Sequence, residues 1–166
     1  MAKQKEVGKK SNAGKQRLKR GAKKASASKP GSGKAEVAKV TLAPNLSVRN
    51  GAEAVEFYKA AFGARELFKI ADPDGAVVAH LAVGQADFWV ADESPEHLNF
   101  SPETLGGGTV RMVMVVEDPD AVFAHAVSQG AIVVSPVTDE SYGWRLGRIV
   151  DPFGHHWEIG KPLARG

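Results

Sequence analysis

Residues 50–64 read Asn-Gly-Ala-Glu-Ala-Val-Glu-Phe-Tyr-Lys-Ala-Ala-Phe-Gly-Ala. Asn50 is a helix-capping residue, and Glu53 stands three positions on, in capping-box position. Ala54, Val55, Tyr58, Ala61 and Phe62 recur at helical spacing and make one apolar stripe. Gly63 supplies the stop. The spacing predicts a helix from the cap at 50 to the stop at 63. The pattern returns at a constant offset of 67, where Ala121, Val122, Ala126, Gly130 and Ala131 fall on Ala54, Val55, Lys59, Gly63 and Ala64, all but the Ala126–Lys59 pair identical. Asp118 caps this second helix and Pro119 takes its favoured first position. An internal repeat of this size means two similar units that share one core or one site.

Strand signals surround both helices. Residues 40–48 alternate, with Leu42, Leu46 and Val48 on one side and Ala43, Asn45 and Ser47 on the other. Strands are expected at 66–70, 77–83 and 87–90, with Asp72-Pro73-Asp74-Gly75 as a turn. In the second unit they are expected at 110–116, 131–134, 145–150 and 155–160. Each unit therefore reads β-α-β-β-β, and the Pro-, Gly- and acid-rich stretch 91–108 connects them. Asp151-Pro152-Phe153-Gly154 reads as a tight turn and nothing more.

Side-chain parity then sorts the faces. Val77, Ala79, Leu81 and Val83 share one face, while Val78, His80 and Ala82 share the other. Met112, Met114 and Val116 oppose Arg111, Val113 and Val115, and His156 and Glu158 oppose His155 and Trp157. Each strand has an apolar or aromatic face to pack on a helix and a second face with occasional polar groups. Curved toward one another, the second faces form a pocket lined by Ala43, Asn45, Ser47, His80, Arg111, His156 and Glu158. Glu158 and Arg111 are candidates for an ion pair across it. The loop Tyr142-Gly143-Trp144-Arg145 sets two aromatics and a guanidinium beside the last hairpin, the make-up of a small-molecule site. Arg145 either holds an anionic group bidentately or pairs with Asp139 or Glu140, with Trp144 covering the sheet edge.

Charge divides the chain. Residues 1–39 hold 13 basic and two acidic residues, a charge of +11, whereas the remainder holds nine basic and 17 acidic residues, a charge of −8. The formal net charge of +3 describes neither part. The segment 1–38 is Lys, Ala, Gly and Ser with almost no apolar bulk and is expected to be a disordered tail. Its lysines suit non-specific contact with nucleic acid through counterion release, without base stacking because no aromatic interleaves them. The absence of cysteine excludes disulfides, thiolate metal sites and a cysteine nucleophile. No apolar run approaches the roughly 18–20 residues of a membrane span. No apolar leader stands at the N-terminus, so a cytoplasmic protein is expected. There is no Gly-x-Ser-x-Gly elbow and no His-Glu-x-x-His, and Gly106-Gly107-Gly108 lacks the Lys-Ser/Thr of a phosphate loop.

Paired β-α-β-β-β modules with Phe57-Tyr58 and then Phe62-Gly63 in the first helix resemble the vicinal-oxygen-chelate superfamily. That group includes glyoxalase I, extradiol dioxygenases, fosfomycin-resistance enzymes and bleomycin-resistance proteins. Asp151-Pro152-Phe153-Gly154-His155-His156-Trp157-Glu158-Ile159 is similar to its last hairpin. With Tyr142-Gly143, Arg145 and Pro136-Val137-Thr138-Asp139, the combination resembles the PhnB-like subgroup. The resemblance covers about residues 40–161. It implies an α+β domain over 39–166, with modules at about 40–91 and 109–161 forming a curved mixed sheet around a pocket. It also implies a homodimer, since relatives often build each site from two chains.

The superfamily's metal ligands, carried over by position, fall on Ala43, His80, Arg111 and Glu158. Only His80 and Glu158 can ligate a divalent metal ion, because Ala43 has no donor and Arg111 is a permanent cation. A catalytic metal normally takes about three protein ligands, so the set is incomplete unless His156 joins it. Three functions follow, in order of support. The first is a metal-independent small-molecule binding protein of the bleomycin-resistance kind, its ligand met by Asn45, Ser47, Arg111, Tyr142, Trp144, Arg145 and His156. The second is a glyoxalase-like lyase or dioxygenase-like enzyme, in which a metal or His80 polarises a substrate oxygen and Glu158 moves a proton. The third is a nucleic-acid-associated protein that acts through its tail.

Overall fold

A computed structural model of the protein describes residues 40–164. The expected disordered tail lies outside the described residues. The first module runs β1 (Asn45–Val48), α1 (Gly51–Phe62), β2 (Arg65–Ala71), β3 (Val77–Val83) and β4 (Ala86–Asp92). The connector carries a single 3-10 turn, Pro95–His97, and a short helix α2 (Pro102–Leu105). The second module runs β5 (Arg111–Val115), α3 (Pro119–Ser128), β6 (Ile132–Glu140), β7 (Trp144–Val150) and β8 (His156–Pro162). The strands form two mixed four-stranded sheets, ordered β1-β4-β3-β2 and β5-β8-β7-β6. In both, the strand before the helix lies parallel to the last strand of its module and the other pairs are antiparallel. The α+β fold of paired β-α-β-β-β modules is thus present, and the repeat read from the helices extends to strand order.

Local chemistry explains the helices. The Glu53 N–H donates to the Asn50 side chain at 3.2 Å, and Gly63 adopts φ 64° and returns its N–H to Lys59. The Ala121 N–H donates to Asp118 at 3.0 Å. Two strands differ from their expected spans by more than two residues at one end. The first begins at Asn45, because Pro44 has no N–H to give a ladder; Leu42 stands in solvent, 97% exposed. The sixth is longer than expected, running through Glu140, because register shifts between Val133 and Ser135 and between Ser135 and Thr138 accommodate Pro136. Such irregularities break the alternation that identifies a strand from sequence.

One hydrophobic core serves both modules. Val55, Tyr58, Leu81 and Val90 join Phe123, Ile149, Trp157 and Ile159 in it. Phe62 lies 4.6 Å from Trp157, centroid to centroid, and Tyr58 lies 5.6 Å from it. The turn after β7 does more than reverse the chain. Asp151 is buried and accepts from the Tyr58 hydroxyl at 2.7 Å, the Trp157 indole at 2.9 Å, and the backbone N–H groups of Phe153 and His155. The Tyr58 contact ties α1 of the first module to the second. The core takes one face of each sheet: Val77, Ala79 and Leu81 from β3, and Trp157 and Ile159 from β8. The opposite faces stay open, with Phe68, Ile70, Val113, Val115 and Ile132 all exposed.

Candidate functional site

On the open face of the first sheet, the β3–β4 pairing sets His80 opposite Trp89 and Ala82 opposite Asp87, while β2 places Phe68 opposite His80. Directly opposed residues share a face. The His80 ring lies flat on Trp89, with centroids 4.3 Å apart and planes 2° from parallel. Phe68 meets Trp89 edge-on at 6.1 Å. The His80 Nε2 is 2.5 Å from an Asp87 carboxylate oxygen. When Nε2–H donates to that oxygen, Nδ1 is left as a bare acceptor. Sequence reasoning found His80 but missed Phe68, Asp87 and Trp89. Counting outward from the turn at Gly84-Gln85 would have found Asp87 and Trp89.

A cleft of about 360 Å³ opens beside Asp87, between the β3–β4 turn and β5, and is lined by Phe88, Met114, Val115 and Trp157. The open face of the second sheet carries Arg111 and Val113 from β5 and His156 and Glu158 from β8. The Arg111 guanidinium donates to Glu158 at 2.7 Å. Arg148 of β7 stands opposite Glu158 in the ladder, a position the sequence reading passed over.

Of the remaining candidates, Asn45 stands opposite Trp89 in the β1–β4 ladder and so on the same open face, and the others stand elsewhere. Asn45 and Ser47 line a separate cleft of about 300 Å³ with Phe100, Leu105 and His155. There the Ser47 hydroxyl bonds the Asn99 side chain, and the Ser47 carbonyl faces the His155 Nε2 at 2.9 Å. Tyr142 and Trp144 border a third depression with Pro162 and Leu163. Arg145 gives Nε and Nη2 to Asp120 at 2.7 and 2.6 Å and Nη1 to Asp139 at 2.8 Å. Those hydrogen bonds hold the Asp120 carboxyl below its usual range and push the guanidinium further up.

The family model for the glyoxalase/bleomycin resistance protein/dioxygenase superfamily matches residues 39–159. The chain belongs to this superfamily. Uncharacterized proteins of Mycobacterium bovis and Mycobacterium tuberculosis are 38% identical to it over 126 residues, which is 74% of this chain and 83% and 74% of theirs. Among solved structures, an Arabidopsis thaliana gene product is 30% identical with TM-score 0.61, covering 74% of this chain and 99% of that one. TioX from Micromonospora sp. ML1 is 25% identical with TM-score 0.57, covering 75% and 100%. A variant of the fosfomycin resistance protein FosX from Listeria monocytogenes, complexed with manganese(II), shares the fold alone at 12% identity, TM-score 0.57, covering 73% and 88%.

In this superfamily member, two of the four positions that the metal site implies cannot ligate, and the other two, His80 and Glu158, are engaged by protein groups. Ala43 precedes β1 and has no donor atom, Arg111 is paired to Glu158, and the His80 Nε2 faces Asp87. Among the described residues, no three His, Asp or Glu side chains are gathered as a metal would need. No described helix is long and apolar enough to cross a membrane.

Proposed function

We propose that this superfamily member binds a planar small molecule without a resident metal ion. The observation that carries the reading is the stacked His80–Trp89 pair, flanked by Phe68, on a face the chain leaves open. A flat aromatic surface edged by a fixed carboxylate and an imidazole is a usual small-molecule site. The donor set at the metal positions supports the metal-free half of the reading. The exposed Phe68, Ile70, Val113, Val115 and Ile132 on the two open faces support a homodimer. In that dimer the first-module face of one copy meets the second-module face of the other.

Calorimetric titration with 2-naphthamide, together with light scattering and metal analysis, tests this. The expected result is a dimer that binds 2-naphthamide and loses that binding in Trp89→Ala. A stoichiometric divalent ion that disappears in His80→Ala and in Glu158→Ala would overturn the metal-free reading. Unimpaired 2-naphthamide binding in Trp89→Ala would overturn the aromatic site.

The charge of +11 over residues 1–39 supports a second, independent role: non-specific contact with nucleic acid. Duplex DNA binding with a steep salt dependence is expected, and it should vanish on removal of residues 1–38. Equal affinity with and without them would refute the role.

A further inference from the structure

Among the described residues, two buried side-chain polar atoms have no hydrogen-bond partner, and both are nitrogens: Arg148 Nε and His156 Nδ1. A guanidinium only donates and is always charged, so an unmatched Nε–H has lost its water with nothing to offset the loss. Buried groups in this state are uncommon in native proteins and call for a reason.

Their placement suggests one. Ile149 and Trp157 oppose each other and both lie in the core, so their neighbours Arg148, Glu158 and His156 emerge on the open face. Arg148 opposes Glu158 and Val150 opposes His156, which makes Arg148 and His156 diagonal neighbours across β7 and β8. Of the other described arginines, Arg65 stands exposed in solvent, whereas Arg49 is matched by Thr104 and Glu93, Arg111 by Glu158, and Arg145 by Asp120 and Asp139. Arg148 faces Glu158 yet makes no ion pair with it, because that carboxylate is turned to Arg111. Around Arg148, two arginines stand beside one carboxylate, Glu158; the next acid on this face, Glu140, stands opposite Trp144 at the far end of β7. The face is therefore locally positive within a stretch, residues 40–166, whose own charge is −8.

We infer that Arg148 and His156 form an oxyanion subsite, so that the ligand is a planar acid carrying a carboxylate or phosphate-like group. Arg148 offers Nε and one Nη as a fork. His156 adds a third donor in the tautomer that carries its proton on Nδ1. The inference rests on the aromatic site and the dimer proposed above: the His80–Trp89 surface of one copy takes the flat body of the ligand, and Arg148 of the other copy takes its anionic end.

The test is titration of the full chain with 2-naphthoate and with the neutral 2-naphthamide, comparing their affinities within each variant. The basic tail is common to all variants, so its contribution cancels when the acid-to-amide preference of one variant is set against that of another. Wild type should prefer the acid by about tenfold or more, as expected for charge-assisted bonds. Arg148→Gln should lose that preference and keep its affinity for the amide. Arg148→Lys should retain part of it, because an ammonium cannot fork. If Arg148→Gln does not fold, Arg148→Lys decides, with a reduced preference expected. An undiminished preference in the folded variant would overturn the subsite. So would a wild type that binds the amide but does not favour the acid, which would leave the aromatic site standing. A wild type that binds neither compound overturns both.

Discussion

Replacing Asp151 by asparagine tests what its buried carboxylate holds in place. Asp151 is 3% exposed, and its four donors divide evenly. Oδ1 accepts from the backbone of Phe153 and His155 at 3.0 and 2.9 Å, and Oδ2 accepts from Tyr58 and Trp157 at 2.7 and 2.9 Å. Asparagine keeps the shape but turns one head into a donor. With the amide nitrogen in place of Oδ1, two backbone N–H groups face another N–H. With it in place of Oδ2, the Tyr58 hydroxyl can rotate and accept, but the Trp157 indole can only donate. The second orientation costs less and still strands one buried donor.

Hydrogen bonds to a charged acceptor are worth about 1.5–3 kcal/mol, and a stranded buried donor costs about 1–3 kcal/mol. Asp151→Asn should therefore destabilise the domain by about 3–5 kcal/mol, a large share of a typical stability of about 5–15 kcal/mol. Tyr58→Phe removes one donor from a carboxylate that keeps three and should cost about 1–2 kcal/mol. Urea unfolding followed by tryptophan fluorescence and far-ultraviolet circular dichroism measures both, given an unchanged m-value. An Asp151→Asn cost below about 1 kcal/mol, or no larger than that of Tyr58→Phe, would refute the account of Asp151 as a buried carboxylate that satisfies four donors.

Burial, reinforced by Asp151, pushes the Tyr58 hydroxyl well above its ordinary 10.0. The unfolded chain releases that proton near pH 10 and the folded one holds it, so the contribution is complete below pH 10 and fades as pH rises further. Urea midpoints should fall between about pH 10 and 11, and Tyr58→Phe should flatten the fall; an identical slope in the variant counts against it. Gly147 of β7 lies against α3, and a Cβ there would sit 2.7 Å from the Phe123 ring and 2.9 Å from Val137. Gly147→Ala should cost about 1–3 kcal/mol by overpacking, read as a lowered Tm; an unchanged Tm would show that the α3 contact yields.

What could be read from the sequence was whatever is decided locally. The Asn50 cap, the Gly63 stop and the alternation of 77–83 each lie within a few residues, and the structure places helix and strand there. What escaped depends on pairing or distance. Trp89 stacks on His80 because of hairpin register, which shows only once the two strands are paired outward from the Gly84-Gln85 turn. Asp151 reads as a turn residue because its turn is local, whereas its bond to Tyr58 spans 93 positions. Arg148 alternates with Ile149 and could have been assigned to the open face by the same parity that placed Glu158. Arg111 and Glu158 were both marked, and their pairing emerges at 2.7 Å.

That pair has a consequence for the subsite beside it. Glu158 stands opposite Arg148 in the ladder, and Arg111 keeps its carboxylate engaged. The Arg111 and Glu158 side chains are 55% and 23% exposed, so the pair itself adds little stability. Its effect is on charge placement. In Arg111→Gln, Glu158 loses its cation and the nearest unmatched one is Arg148. The carboxylate should turn to it and occupy the fork that an oxyanion would otherwise fill. Arg111→Gln should therefore lower the preference for 2-naphthoate over 2-naphthamide without removing any group that touches the acid. Adding Glu158→Gln should restore it, because the competing carboxylate is gone. A preference that is unchanged in Arg111→Gln, or that stays low in the double variant, would show that Arg111 does not keep Arg148 free.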